Sequence, residues 1–273
     1  MFTSGVYDSA RRPPAFWEEL VALWTYRDLI YQMVARDIKV RYKRSVLGVA
    51  WTMLNPLLMM IVLTLVFSHL FRFDLPNYPV YLLSGTLIWN FFAQTTTLGM
   101  QQLVWGGGLL HRIYVPRTVF AVSSLGTGLV NLALALIPLS GIMLLTGAPF
   151  RPALAFLPVA VLQAALFTLG VSLLLSSLAA VFPDTIEMYQ VLLTAGYFLT
   201  PIFYPERILP ESLAIWLKFN PIHHVVAAFR GPIYWGIVPS IESIVATSIM
   251  ALLVLAVGWL VFTSRAEHII YRL

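Results

Sequence analysis

The chain has 273 residues, of which 59% are hydrophobic and 11% charged, with a formal net charge of +5 and no cysteine. Soluble domains carry about a quarter charged residues, so this composition excludes an ordinary soluble enzyme and indicates a polytopic membrane protein. The lack of cysteine excludes disulfides, thiolate nucleophiles and zinc–thiolate sites. Because the basic residues flank apolar spans instead of covering one face, a nucleic-acid surface is excluded as well.

Residues 1–14 read as a polar cytoplasmic tail, and MFTSGVYDSARR lacks the apolar core of a cleaved signal peptide. In residues 15–26, Phe16, Trp17, Leu20, Val21 and Trp24 recur at helical period, with Glu18 and Glu19 off the stripe. From Asp28 to Lys43, the residues Asp28, Gln32, Arg36, Lys39 and Lys43 share one arc of a helical wheel opposite an apolar side. Asp37 and Arg41 interrupt that apolar side at a spacing that lets them pair. Residues 15–43 therefore predict one or two helices lying in a membrane interface; a solvated helix packed on nothing is the plainer alternative.

The stretch Arg36–Pro56 sets the topology. Five of its first nine residues are basic, whereas Val46–Phe71 holds no Asp, Glu, Lys or Arg. That uncharged run is long enough for a hydrocarbon core of about 30 Å, and the basic collar before it marks the cytoplasmic end. Six spans are predicted, at about 49–71, 80–102, 118–146, 153–182, 186–204 and 241–263. The second is the most polar, with Asn90, Gln94 and Thr95–Thr97. The third and fourth exceed the ~20 residues a crossing needs and should tilt or bend. With both termini inside, twelve Lys and Arg residues fall on the cytoplasmic side and five outside, as the positive-inside rule requires. The long segment 205–240 then faces out, and Glu211–Phe219 and Ile222–Arg230 predict short helices on the outer surface.

The chain offers little for catalysis. None of its three lysines follows a glycine, so no phosphate-cradling Gly-Lys-Ser/Thr loop exists and the chain is not itself a P-loop ATPase. His223-His224 is the one tandem pair, but neighbouring helical residues point about 100° apart and no carboxylate cluster lies nearby in sequence, which favours a structural role over a metal site. No catalytic or metal residue is assigned. Away from the span ends the predicted membrane interior has no Asp, Glu, Lys, Arg or His, since His69, Glu187 and Glu242 all stand near an interface, which disfavours an ion-coupled carrier.

The remaining signals concern contact and passage. The predicted inner loop Gly106–Arg117 is short, basic and apolar. Leu109, Leu110, Ile113 and Tyr114 suit a groove in a soluble partner, and His111, Arg112 and Arg117 suit its polar rim; an ordinary turn with inside arginines reads equally well. On the first and fifth spans, Phe67, Phe71, Tyr189, Tyr197, Phe198, Phe203 and Tyr204 can line a path for sugars, whose C–H faces stack on rings. Packing or a lipid-facing belt is the alternative for each.

An ordered set of segments resembles the ABC-type polysaccharide exporter permeases, the membrane subunits for O-antigen, capsule and teichoic acid export. The set comprises Arg36–Pro56, Tyr114–Arg117 (YVPR), Phe182–Asp184 (FPD), Thr200–Pro205 (TPIFYP), Leu209-Pro210 and Asn220–Gly236 (NPIHHVVAAFRGPIYWG). It covers nearly the whole chain. Pro183 stands where many relatives carry Arg before the Asp, so a role for that Arg does not transfer. The resemblance implies an all-α membrane protein of six transmembrane helices, with an N-terminal amphipathic interface helix, short external gate helices and cytoplasmic termini. Its parts would be a tail and interface helix over 1–45 and a permease domain over 46–273, with a coupling loop at 106–117 and an external gate region at 205–240.

The same resemblance implies a homodimer joined to two copies of a nucleotide-binding ATPase subunit in a bacterial inner membrane. This chain would hold no cofactor, ATP and Mg2+ belonging to the partner. A polyprenyl-pyrophosphate-linked glycan would enter near Arg41, Lys43 and Arg44 with Leu47-Gly48, since cations at headgroup level attract a pyrophosphate. The loop from Leu109 through His111, Arg112, Ile113, Tyr114 and Pro116 to Arg117 would dock on the ATPase, and the first and fifth spans would line the path. The rivals are a permease for a small molecule, drug or lipid, a membrane-embedded glycosyl- or acyltransferase using His223-His224, and a passive channel.

Overall fold

A computed structural model describes residues 15–43, 47–48, 50–69, 75–105 and 115–264, and among these there are helices and turns but no strand. Two short helices come first, α1 (Ala15–Thr25) and α2 (Arg27–Tyr42), followed by α3 (Ala50–His69), α4 (Tyr78–Trp105) and α5 (Thr118–Leu145). A 3₁₀ turn at Pro152–Phe156 leads into α6 (Leu157–Ala179), then α7 (Thr185–Leu199). The segment 205–240 carries α8 (Glu211–Phe219), α9 (Pro221–Arg230) and a π turn at Gly231–Trp235, and α10 (Ile241–Ser264) closes the described chain. The element bounds follow the hydropathy pattern closely. The main difference is at the fifth predicted span, where α7 stops at Leu199 and Pro201 lies in the following turn.

Among the described residues four helical stretches are long and apolar enough to cross a membrane: Ala50–Phe67, Thr118–Leu145, Pro152–Ala179 and Ile241–Ser264. Helix α4 has 28 residues, about 42 Å at the helical rise, but it is richer in polar side chains, and α7 has only 15 residues. Helix α4 is the axis of the bundle. Its first half is buried without interruption from Val80 to Trp89, and it packs on α3, α5, α6 and α9.

Small residues allow this packing. A side chain at Gly258 would stand 2.2 Å from the Gly170 carbonyl oxygen, so α6 and α10 meet backbone to backbone. Hydroxyls along the bundle return to their own helices: Ser84 to Tyr81, Thr96 to Phe92, Ser123 to Phe120 and Thr127 to Ser123, each donating to a carbonyl at 2.8–3.0 Å. These bonds satisfy the four hydroxyls within their own helices, where there is no water to do so.

The N-terminal helices cover one end of the bundle. Met33 is buried against Leu103, Val119, Phe120, Leu173 and Phe262, with Leu29 and Ile30 packed beside it. Trp17 and Trp24 on α1 are 59% and 74% exposed, and the Arg27 guanidinium lies 5.5 Å from the centre of the Trp24 ring. Asp37 does not pair with Arg41: it accepts from the adjacent Arg36 at 3.1 Å and from the side-chain amide of Gln102 on α4. Burying Asp37 against α4 gives it an amide donor that the exposed Arg41 does not match.

Candidate functional site

The structure builds two polar neighbourhoods at opposite ends of α4. At the end away from α1 and α2, the segment 200–236 folds over the bundle. Asn220 caps α9 by accepting from the Ile222 N–H at 3.2 Å, with Pro221 at the first helical position, and its amide donates to Thr200 at 3.1 Å. Ten residues after Asn220, Arg230 turns inward and is 5% exposed. Its guanidinium donates to the carbonyls of Pro201 and Ile202, both at 2.8 Å, and lies 3.9 Å from the centre of the Tyr81 ring. A side chain at Gly85 would come within 1.9 Å of that guanidinium, so glycine is what makes room for it.

Three tyrosines complete the cap. Tyr78 donates to the Phe203 carbonyl at 2.6 Å, Tyr81 to that of Tyr204 at 2.9 Å, and Tyr234 to that of Pro76 at 2.6 Å. Sequence reasoning counted Arg230 only as one of five outer cations. The available signal was a lone Arg directly after the apolar run Val225–Phe229 with no acid nearby in sequence.

Beside this cap lies a cavity of about 560 Å3 walled in part by Glu206, His223, His224 and Trp235. The two histidine rings stack at 5.5 Å, but each serves a different partner: His223 Nε2 donates to Glu206 at 3.2 Å and His224 Nε2 to the Lys218 carbonyl at 2.8 Å. Burial, together with the positive field of His224 and Arg230, pushes His223 down to about 4, so it is a neutral donor at pH 7. Among the described residues no group of three or more His, Asp or Glu side chains could hold a metal.

The predicted ring residues mostly come together. Phe203 lies 5.0 Å from Phe67, 5.7 Å from Tyr197, 5.6 Å from Phe198 and 5.0 Å from Tyr204, centre to centre. Phe203 itself is buried, Phe67, Tyr197 and Tyr204 are half-buried, and Phe198 is 59% exposed. Tyr189 stands apart, buried and hydrogen-bonded to Thr96 at 2.8 Å. Trp89, which the sequence reading passed over, extends the cluster to α4 at 5.7 Å from Tyr197.

At the other end, Arg41 and Lys43 are exposed, and Leu47 is 45% exposed. Gly48 has φ +50°, a left-handed turn that an L side chain rarely adopts, and the next residues open α3 through Ala50 N–H to Leu47 O at 2.9 Å. Pro116 and Arg117 are buried at the start of α5 rather than displayed on a rim. The neighbouring Thr118 hydroxyl donates to the Glu19 carboxylate on α1, while Gln102 links α4 to both Asp37 and Ser123. The residues flanking 106–114 are thus braced by both N-terminal helices. Arg44, Phe71, Leu109, His111, Arg112, Ile113 and Tyr114, assigned from sequence, lie outside the described residues.

Fold and site together define a helical membrane protein. Comparison with known proteins agrees. The profile of the ABC-2 type transporter family matches residues 28–234. An O-antigen export system permease protein RfbA of Myxococcus xanthus is 31% identical over 252 residues, covering 90% of this chain and 95% of that one. One of the same name from Klebsiella pneumoniae is 28% identical over 206 residues, 74% of this chain and 79% of the relative. The polysialic acid transport protein KpsM of Escherichia coli is 24% identical over 237 residues, 85% and 91% of the two chains. The chain belongs to the ABC-2 type transporter family, and its class is membrane transport rather than catalysis.

Proposed function

We propose that this chain is the membrane permease subunit of an ATP-driven exporter that moves a polyprenyl-pyrophosphate-linked polysaccharide, of O-antigen, capsule or teichoic acid type, across a bacterial inner membrane. The observation that carries the reading is similarity along almost the full length to a permease named for O-antigen export. In this reading α4 and α7 join the four apolar helices as six spans, the termini are cytoplasmic, and α1 and α2 lie in the inner interface with Trp17 and Trp24 toward the headgroups. Two copies of the chain assemble with two copies of an ATPase subunit, which supplies ATP and Mg2+ chemistry.

Arg41, Lys43 and Arg44 hold the pyrophosphate beside the Leu47-Gly48 turn, where cations at headgroup depth meet an anionic ligand. The loop 106–117 docks on the ATPase. Its flanks are tied to α1 and α2, so a displacement of the loop moves those helices with the start of α5 as a rigid body. Phe198, with Tyr197, Phe67 and Tyr204, presents rings to the passing sugars, and the cap 205–240 closes the outer end.

Purified complex in lipid vesicles provides the test. Lipid-linked glycan should stimulate ATP hydrolysis, and small amphiphilic drugs should not. Arg112→Glu should abolish the stimulation while leaving the chain inserted. Stimulation by drugs alone would replace the glycan with a small-molecule substrate. Turnover of a lipid-linked sugar by the chain without its partner would make it a transferase.

A further inference from the structure

The most polar predicted span has no part in the scheme above. On α4, Asn90, Gln94, Thr97 and Gln101 repeat at intervals of four, three and four, which places them within about 60° of each other around the helix. The stripe begins about 18 Å from the outer end of the helix, at membrane depth. Gln94 is exposed, and Asn90, Thr97 and Gln101 are half-exposed. Two adjoining hollows lie along it and share Arg41 and Gln94 as walls. One, about 260 Å3, also takes in Asn55 of α3, Asn90 and Asn131 of α5, and the other, about 380 Å3, takes in Thr97, Gln101 and Gln190 of α7. Asn131 is an independent sign that the first hollow is built for a ligand: it is 9% exposed, yet its Oδ1 has no hydrogen-bond partner.

An exposed amide in hydrocarbon leaves two N–H donors and a carbonyl unsatisfied, each at several kcal/mol. This face of the protein is therefore not turned to lipid. We infer that it is a second wall of the translocation path, an amide track that holds the hydroxyl-bearing sugars of the passing chain; this inference rests on the glycan-export reading. The chemistry selects that occupant. Between Asn90 and Gln101 there is no charged residue, so the track suits neither a free anion nor a cation. Each amide both donates and accepts, as each sugar hydroxyl does. The exposed ring of Trp51 at the edge of the first hollow offers a stacking face. Among the described residues Arg41 is the only cation lining either hollow, and it stands next to the site proposed for the pyrophosphate. Neutral, repeated, individually weak contacts let a polymer slide, whereas tight sites would stall it.

The cysteine-free sequence makes the test direct. Gln94→Cys, Gln101→Cys and, as a lipid-facing control on α10, Leu253→Cys are expressed singly with the partner ATPase, in cells that make the lipid-linked glycan and in cells whose glycan synthesis is blocked. A membrane-impermeant sulfonated methanethiosulfonate is then applied to inverted membranes. Reaction at positions 94 and 101, several-fold slower when glycan is made, with position 253 unreactive in both, is the expected result. No reaction at 94 and 101 in complexes that still export overturns the inference and assigns the stripe to packing between two copies. Equal reaction with and without glycan overturns it too, leaving a wet wall that the chain does not touch. The double variant Gln94→Leu/Gln101→Leu should export several-fold more slowly with its amount in the membrane unchanged; unaltered export also overturns the inference. Export by the unsubstituted chain is measured in the same cells. If that fails, the glycan-export reading falls and takes this inference with it; if it holds, failed labelling counts against the track alone.

Discussion

The two ends of α4 treat polar groups in opposite ways. At the end under the segment 200–236 several polar side chains reach out to backbone carbonyls: Arg230 takes two, and Tyr78, Tyr81 and Tyr234 one each. In the middle and inner half, Asn90, Gln94, Thr97 and Gln101 line open hollows, and buried Asn131 keeps an unpaired oxygen. A network whose members satisfy one another resists motion and fixes one structure. Amides left open at membrane depth contribute nothing to the fold until something arrives to bond them. The contrast separates a rigid cap from a working surface on a single helix.

Substitutions should break that contrast unevenly. The largest effect belongs to Arg230→Met, which strands the Pro201 and Ile202 carbonyls and removes a charged donor from both. A loss of about 3 kcal/mol or more is expected, read as a lower denaturation midpoint in detergent. Gly85→Ala attacks the same guanidinium from the other side, and the displaced side chain should lower stability by about 1–3 kcal/mol.

Acid should loosen the cap through His223. Its folded pKa of about 4 lies below the ordinary 6.5, so the unfolded chain takes up the proton first. Stability should therefore fall as pH drops from about 6.5 to 4 and not further on this account, and His223→Gln should flatten that part of the profile. Tyr234→Phe, which deletes one partly exposed bond, should lower stability by about 1 kcal/mol. Smallest of all is Gln94→Leu. Its thermal stability should stay within about 0.5 kcal/mol of the parent because no packed contact is lost, although export should slow. A large destabilisation by Gln94→Leu, or none by Arg230→Met, would invert the comparison.

Much of the architecture was legible from residue order. Hydropathy alone placed α3, α5, α6 and α10 to within a few residues, since an uncharged run of that length has few other solutions in a membrane. The short helices predicted at Glu211–Phe219 and Ile222–Arg230 are present, the second beginning one residue earlier at Pro221 behind the Asn220 cap that only the structure showed. The ring cluster was only partly legible: aromatic residues are visible in sequence, but the burial of Phe203 and Tyr189 and the exposure of Phe198 depend on which neighbours fold against them. Asp37 illustrates the limit. Its helical spacing pointed to Arg41, and tertiary packing gave it Arg36 and Gln102 instead.

By itself the sequence determined that this is a helical membrane protein with no Gly-Lys-Ser/Thr nucleotide loop, because charge density and residue spacing along one chain are local properties. Tertiary structure alone decided what each polar residue is for. Arg230 finds its carbonyls 28 and 29 residues back along the chain, and the amides of α4 meet Arg41, Asn55 and Asn131 from three other helices. Whether a polar group in a membrane is paired or left open depends on partners brought by folding, and no spacing within one helix specifies that.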